Sequence, residues 1–325
     1  MGAGAIGMAL LSAALFATSG PFGKALLDAG WSPGAAVTVR ITTAGLLLLV
    51  PSVVALRGRW DLLRANAGTV ALYGVLAVAG CQLFYFNAVR TLSVGVALLL
   101  EYLGLVFVVG WNWYRDRRPP SRRTLVGVAL AVAGLVLVLD VVGDASVDLV
   151  GALWGIGAAV GLAAFFVLSA NDSSGLPPIT MAGGGMLVGA VVLALAAATG
   201  ILPFEWARDD VVLAGSTQPW WVPVAGISVL AGACSYATGI AAARRLGSKL
   251  AAFVGLTEVL FAVALSWLLL DQTLAPVQLA GGVLILAGVA AVRADTDEDE
   301  EPSVGAEALP DPVGRSVDGT PSRAR

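Results

Sequence analysis

Histidine is absent from all 325 residues, and cysteine occurs only twice, at Cys81 and Cys234. Without imidazole the usual zinc sites, Ser-His-Asp triads and histidine proton relays are excluded. Two cysteines set inside apolar stretches exclude a disulfide scaffold and read as small buried hydrophobes. Charge is scarce too: 13% of residues are Asp, Glu, Lys or Arg against 58% apolar, with a mean hydropathy of +0.86. That balance excludes an ordinary soluble domain and places the chain in a lipid bilayer. No HExxH, Gly-x-Ser-x-Gly or P-loop pattern appears, which argues against a membrane-embedded enzyme. No cofactor or metal is expected.

What is present is a repeat. LVGVALAVAGLVLV, from Leu125 to Val138, is answered 154 positions later by LAGGVLILAGVAAV, from Leu279 to Val292. Upstream, Asp116 precedes the first copy and Asp271 the second, and GWSP at Gly30 recurs as GLPP at Gly175. A duplicated apolar unit is the signature of a membrane transporter.

Crossing about 30 Å of hydrocarbon takes roughly 20 helical residues. The stretches that qualify run approximately over 4–26, 33–56, 68–89, 92–113, 124–141, 149–170, 178–200, 220–242, 248–270 and 276–293. They are continuous apolar runs without barrel alternation, so helices are required to satisfy the backbone in lipid. The first lacks a basic flank and a clear cleavage site and is read as a span, not a removable signal peptide. The expected fold is therefore an all-α membrane protein of ten transmembrane helices. Residues 1–147 and 148–293 form two five-helix repeats, and 294–325 form an acidic cytoplasmic tail.

Basic residues orient the spans. With the N-terminus in the cytoplasm, eleven fall in inside loops, the largest group being Arg115, Arg117, Arg118, Arg122 and Arg123, and three lie outside: Lys24, Arg90 and Arg208. That asymmetry puts both termini inside. Outside connectors carry acids instead, among them Asp140, Asp144 and Asp148. The tail, opening with DTDEDEE at Asp295, is too polar to pack and is expected to be disordered. An odd number of spans per repeat inverts the second copy, and inverted pairs enclose a midplane site between them.

Ionisable groups buried in such spans are costly, about 2.5–3.5 kcal/mol each on insertion scales, and default to a functional reading. Three qualify: Arg40, Glu101 and Glu258. On a helical wheel Ala97, Glu101, Gly104 and Val108 share one face, and at the 154-residue offset their counterparts are Ala251, Gly255, Glu258 and Ala262. Glu and Gly have exchanged places, and both stripes are expected to face one cavity. The plainer alternative is that each glutamate bonds a neighbouring helix while the small residues let helices approach. For Arg40 the alternative is a structural partnership with a carbonyl or a glutamate. Gln82 and Tyr85 share a face of the third span, and Tyr102 follows Glu101; these join the candidate site. Ser235 and Thr238 read as helix-packing glue. Trp111, Trp113, Trp220 and Trp221 fit an interfacial belt. Trp154 and Trp267 lie deeper and read as core packing, with a place in a pocket wall as the alternative, and Lys24 reads as a snorkelling side chain.

The duplication, Arg40 in the second span, VALLLEYLGLVFVVGW at Val96 to Trp111, and LSWLLLDQTLAPVQLAGGVLILAGVAAV at Leu265 to Val292 together resemble EamA-type members of the drug/metabolite transporter superfamily. LEYLG is also similar to the LEFTGP-like stretch of threonine/homoserine exporters, with Leu105 where a proline is common. Asp271 stands where the family more often has glutamate. The resemblance covers about residues 4 to 293. It implies export of a small polar metabolite such as an amino acid, by ion exchange at the plasma membrane. Arg40 would then hold a substrate carboxylate through a forked hydrogen-bond pair, while Glu101 or Glu258 meets the ammonium or carries a proton. The partners expected are a small-molecule substrate and the bilayer, with a homodimer allowed and no nucleic acid, because the basic residues are already explained by topology. Readings left open are a multidrug or organic-cation exporter, a nucleotide-sugar carrier, and a structural or receptor membrane protein that moves nothing.

Overall fold

The computed structural model describes residues 3–92, 94–138, 148–171, 175–213, 215–270 and 276–300. Asp140, Asp144, Asp271, the side chain of Trp267 and everything beyond residue 300 lie outside them. Among the described residues every regular element is helical except for one short hairpin, with irregular connectors between them. In the first half, α1 (Ala3–Ala17) and α2 (Ser19–Asp28) are followed by α3 (Pro33–Leu56) and the short α4 (Trp60–Ala65). Next come α5 (Ala67–Leu72), a π-helical stretch (Tyr73–Gly80) and α6 (Cys81–Thr91). The half closes with α7 (Val94–Tyr102), α8 (Gly104–Asp116) and α9 (Arg122–Val138). The second half holds α10 (Leu149–Ser169), α11 (Pro178–Ala198), the strands β1 (Val211–Leu213) and β2 (Ser216–Gln218), and α12 (Trp221–Ala225). It continues with a second π-helical stretch (Gly226–Cys234), α13 (Ser235–Gly255), α14 (Thr257–Leu270) and α15 (Pro276–Glu300). Among the described residues seven helices are long and apolar enough to cross a membrane.

Local chemistry sets the helix ends. Ser32 caps α3, its hydroxyl accepting from Ala35 N–H at 3.2 Å with Pro33 at the first helical position, and Asp148 caps α10 through Gly151 N–H at 2.9 Å. Gly30 and Gly175, the repeated loop glycines, both have positive φ, 93° and 61°, a backbone shape that glycine adopts without strain. Gly247 (φ 74°, ψ 163°) interrupts α13 between the stretches read as the eighth and ninth spans.

Equivalent helices of the two halves pack on each other antiparallel. A Cβ built at Gly127 would lie 3.1 Å from the carbonyl oxygen of Gly288, and one at Gly134 would lie 2.6 Å from that of Gly281. The two copies of the repeated run thus face one another with their glycines crossed, close approach being what small residues permit between helices. In α3 and α11 the same opposition holds: Ser52 Oγ donates to Ile179 O at 3.0 Å and Thr180 Oγ1 donates to Ser52 O at 3.2 Å. α10 packs on α6, as α1 packs on α13.

Two regions differ from expectation. The connector after α11 carries the hairpin, turned at Gly215 (φ 70°), and folds over the start of α3. Ser32 N–H donates to Glu205 O at 2.9 Å, Ser32 Oγ donates to Pro203 O at 2.9 Å, and Trp31 Nε1 donates to Ala207 O at 3.0 Å. Trp220 belongs to this cap, its ring 6.1 Å from that of Trp31. At the other extreme, α15 runs on to Glu300, into the tract expected to be disordered, and Asp295 is buried.

Candidate functional site

A cavity of about 330 Å³ lies between the halves. Ser12, Arg40, Gln82 and Glu101 line it from the first; Phe165, Tyr236 and Glu258 from the second. Of its lining only Lys24, on α2, is exposed, whereas Ala9, Ala242 and Ala251, towards the other end, are buried. Lys24, expected to snorkel, stands at the rim and pairs with Asp28 at 2.9 Å.

Arg40 is 1% exposed, yet no carboxylate touches it among the described residues. Its Nη1 donates to Ser19 Oγ and to Gln82 Oε1, each at 2.7 Å, and its Nη2 donates to the carbonyl of Ala231 at 2.7 Å. Nε–H has no hydrogen-bond partner among the described residues. Gln82 is held at both ends, its Nε2 donating to Tyr236 Oη at 3.1 Å, and Tyr236 Oη in turn donates to Ala77 O at 3.4 Å. Gln82 and Tyr236 stand at equivalent places in the two repeats, as do the accepting carbonyls of Ala77 and Ala231. Both carbonyls lie in π-helical stretches, whose altered bonding commonly marks functional positions.

The two glutamates are held differently. Glu258 Oε2 accepts from Tyr102 Oη at 2.8 Å, and the same hydroxyl reaches Gly255 O at 3.2 Å. Glu101 Oε1 accepts only the weak thiol donor of Cys81, at 3.4 Å, among the described residues. Both sit beside a break in a helix: Glu101 two residues before Leu103, which separates α7 from α8, and Glu258 two residues after Leu256, which separates α13 from α14.

The structure brings Arg40, Gln82, Tyr85, Glu101, Tyr102 and Glu258 into the lining of one cavity. The stripe expectation needs correcting for the first repeat. Ala251, Gly255, Glu258 and Ala262 all line the cavity, but of the first stripe only Glu101 does. The break at Leu103 turns Gly104 towards α10, where a Cβ would lie 2.6 Å from Ala159 O, and Ala97 and Val108 are fully buried. A wheel drawn on an unbroken helix cannot anticipate that turn. Cys81 does more than fill space, since it donates to Glu101, and Cys234 is exposed on its helix. Trp154 is 37% exposed, stacked near Phe84 at 5.4 Å and away from the cavity. Ser235 and Thr238 return their hydroxyls to carbonyls of their own helix. Sequence reasoning missed Ser19 and Tyr236; the equivalence of Tyr236 with Gln82 at the repeat offset was the signal available for the second.

The EamA-like transporter family matches residues 3–140 and 149–294, one copy over each half. The chain belongs to the EamA-like transporter family. It is similar to the threonine/homoserine exporter RhtA of Escherichia coli K12, 27% identical over 271 residues that cover 82% of this chain and 83% of that one. It is also similar to RhtA of Salmonella typhimurium SL1344, 26% identical over 268 residues, 81% of this chain and 82% of that one. A solved crystal structure superposes with a TM-score of 0.71 at 18% identity, over 93% of this chain and 100% of that one, a likeness of fold. This EamA-like protein is therefore a multi-pass membrane transporter by family, with one copy of the family's domain in each half.

Proposed function

We propose that this EamA-like protein exports a small polar metabolite, an amino acid in the first instance, by alternating access coupled to proton or ion exchange. The observation that carries the reading is a cavity between antiparallel halves whose wall holds one buried cation and two carboxyl groups, none in contact with another. Buried charges without ionic partners are costly and are kept where something mobile supplies the missing partner. A zwitterion does so at both ends. Three of the five N–H groups of Arg40 are committed to protein acceptors, two from Nη1 and one from Nη2, so it attracts a carboxylate by its charge, its Nε–H and the second Nη2–H. Glu258, oriented by Tyr102, meets the ammonium; Glu101, with only a thiol donor, carries the proton. In this reading ten spans form two inverted five-helix repeats with both termini in the cytoplasm.

An aromatic wall favours a second reading. Tyr236 lies edge-on to Phe16 and Phe165, with centroids 5.0 and 5.4 Å away, and such faces attract organic cations. Uptake of labelled amino acids into proteoliposomes under a pH gradient separates the two. Wild type should accumulate the amino acid, and Glu101→Gln should lose the gradient-driven part. Normal transport by Glu101→Gln would overturn its assigned role, and gradient-driven uptake of organic cations alone would favour the second reading.

A further inference from the structure

At the end of the molecule opposite Lys24, three elements meet on one side chain. Asp295 on α15 accepts from Thr124 Oγ1 at 2.7 Å, at the start of α9, and from Lys249 Nζ at 2.9 Å, on α13. Lys249 Nζ also reaches Thr124 Oγ1 at 3.4 Å. The side chains of Lys249 and Asp295 are 25% and 11% exposed, so this pair is shielded as the exposed pair of Lys24 and Asp28 is not. One residue earlier in α13, Ser248 exchanges hydrogen bonds with Asn112 of α8 at 3.1 and 3.3 Å.

We propose that Thr124, Lys249 and Asp295 form a latch that holds this end of the cavity shut and opens when access passes to the other side of the membrane. The proposal rests on the alternating-access reading above. Lys249 lies two residues past Gly247, whose non-helical backbone gives α13 a joint at that point. Two residues further, Ala251 lines the cavity, followed by Gly255 and then Glu258. Swinging the Ser248–Gly255 arm about Gly247 therefore moves part of the cavity wall, and the latch ties the base of that arm to α9 and α15. The latch lies beside the Arg115–Arg123 cluster, the side read as cytoplasmic, while the opposite rim is the exposed one. A closed inner end facing an exposed outer rim is the arrangement an exporter has after release. Asp295 is thus a positioning residue for transport, acting through the arm.

The test is hydrogen–deuterium exchange by mass spectrometry on the full chain in lipid nanodiscs, comparing wild type with Asp295→Asn and Lys249→Gln. Each variant should exchange at least fivefold faster over residues 245–252 and 119–125, and more slowly over 203–208, because opening the inner end closes the outer. The exchanged pair Lys249→Asp with Asp295→Lys should return both regions towards wild type. Faster exchange at both ends would mean a mere staple, and no change at the inner end would mean no latch; either overturns the proposal. Exchange needs no transported substrate, so a failure to transport amino acids would count against the functional reading and leave this one standing.

Discussion

The two halves of the protein agree in their scaffold and disagree in their charges. Crossed glycines between α9 and α15, π-helical stretches ending next to Cys81 and at Cys234, helix interruptions at Leu103 and Leu256 and positive-φ glycines at 30 and 175 all recur. Arg40 does not: counting as from Gly30 to Gly175, its counterpart is Gly185. Glu101 answers to Gly255 and Glu258 to Gly104. Duplicated positions keep the two halves packed alike, while under the proposed function a site for one asymmetric solute needs positive and negative poles at different places, which a symmetric cavity cannot supply.

The comparison breaks first at the charges. Arg40→Met should abolish transport, at least tenfold in rate by proteoliposome uptake, while Gly185→Ala should affect packing against Tyr73 and spare any charge dependence. Folding should suffer less in Arg40→Met than function does. The change leaves Ser19, Gln82 and Ala231 without their donor, at about 1–3 kcal/mol for a buried group left unpaired, but also removes a buried charge.

The symmetric scaffold should break evenly. Gly134→Val and Gly288→Val each push a side chain onto the facing backbone, at 2.6 and 2.8 Å already for a Cβ. Overpacking of this kind costs about 1–3 kcal/mol. Both should lower the melting temperature in detergent by similar amounts, and a large inequality would mean the halves do not share the load. Tyr102→Phe should have a smaller effect, removing one donor from Glu258 and weakening substrate affinity several-fold with less loss of maximal rate. Smallest of all, Cys234→Ala should change neither stability nor transport measurably, Cys234 being exposed, whereas Cys81→Ala removes the thiol donor to Glu101.

The inner latch adds a pH test. Burial alone would raise the Asp295 carboxyl, but hydrogen bonds from Ser121, Lys249 and Thr124, with the charge of Lys249, outweigh it and hold the group below the usual aspartate range. A depressed carboxyl contributes stability that is complete above its unfolded value and disappears as pH falls through its folded one. Exchange protection over residues 245–252 should therefore be flat through neutral pH and fall only in acid.

Much of this was legible in the sequence, for physical reasons. A charge in an apolar run declares itself, so Arg40, Glu101 and Glu258 stood out, and an internal echo of glycines pointed to helices that pack closely. Ser19 carries no such mark, because a small hydroxyl inside a span is usually spent on its own helix, as those of Ser235 and Thr238 are, and Tyr236 shows itself only through the repeat offset that pairs it with Gln82. The breaks at Leu103 and Leu256 and the π-helical stretches are matters of backbone register that composition does not record. Asp295 was hidden in a run of acids whose other members masked the one that folds back onto Lys249. The hairpin at 211–218 escaped because its strands are three residues each, too short for any alternation to show.

The central claim is that two carboxyls and one cation on a duplicated scaffold couple a solute to protons. Its most direct test is an internal pH dye in proteoliposomes to which an amino acid is added without any imposed gradient. Wild type should show a pH change that depends on the amino acid and is lost in Glu101→Gln. Movement of the amino acid with no proton flux, or equal flux in both proteins, would contradict it.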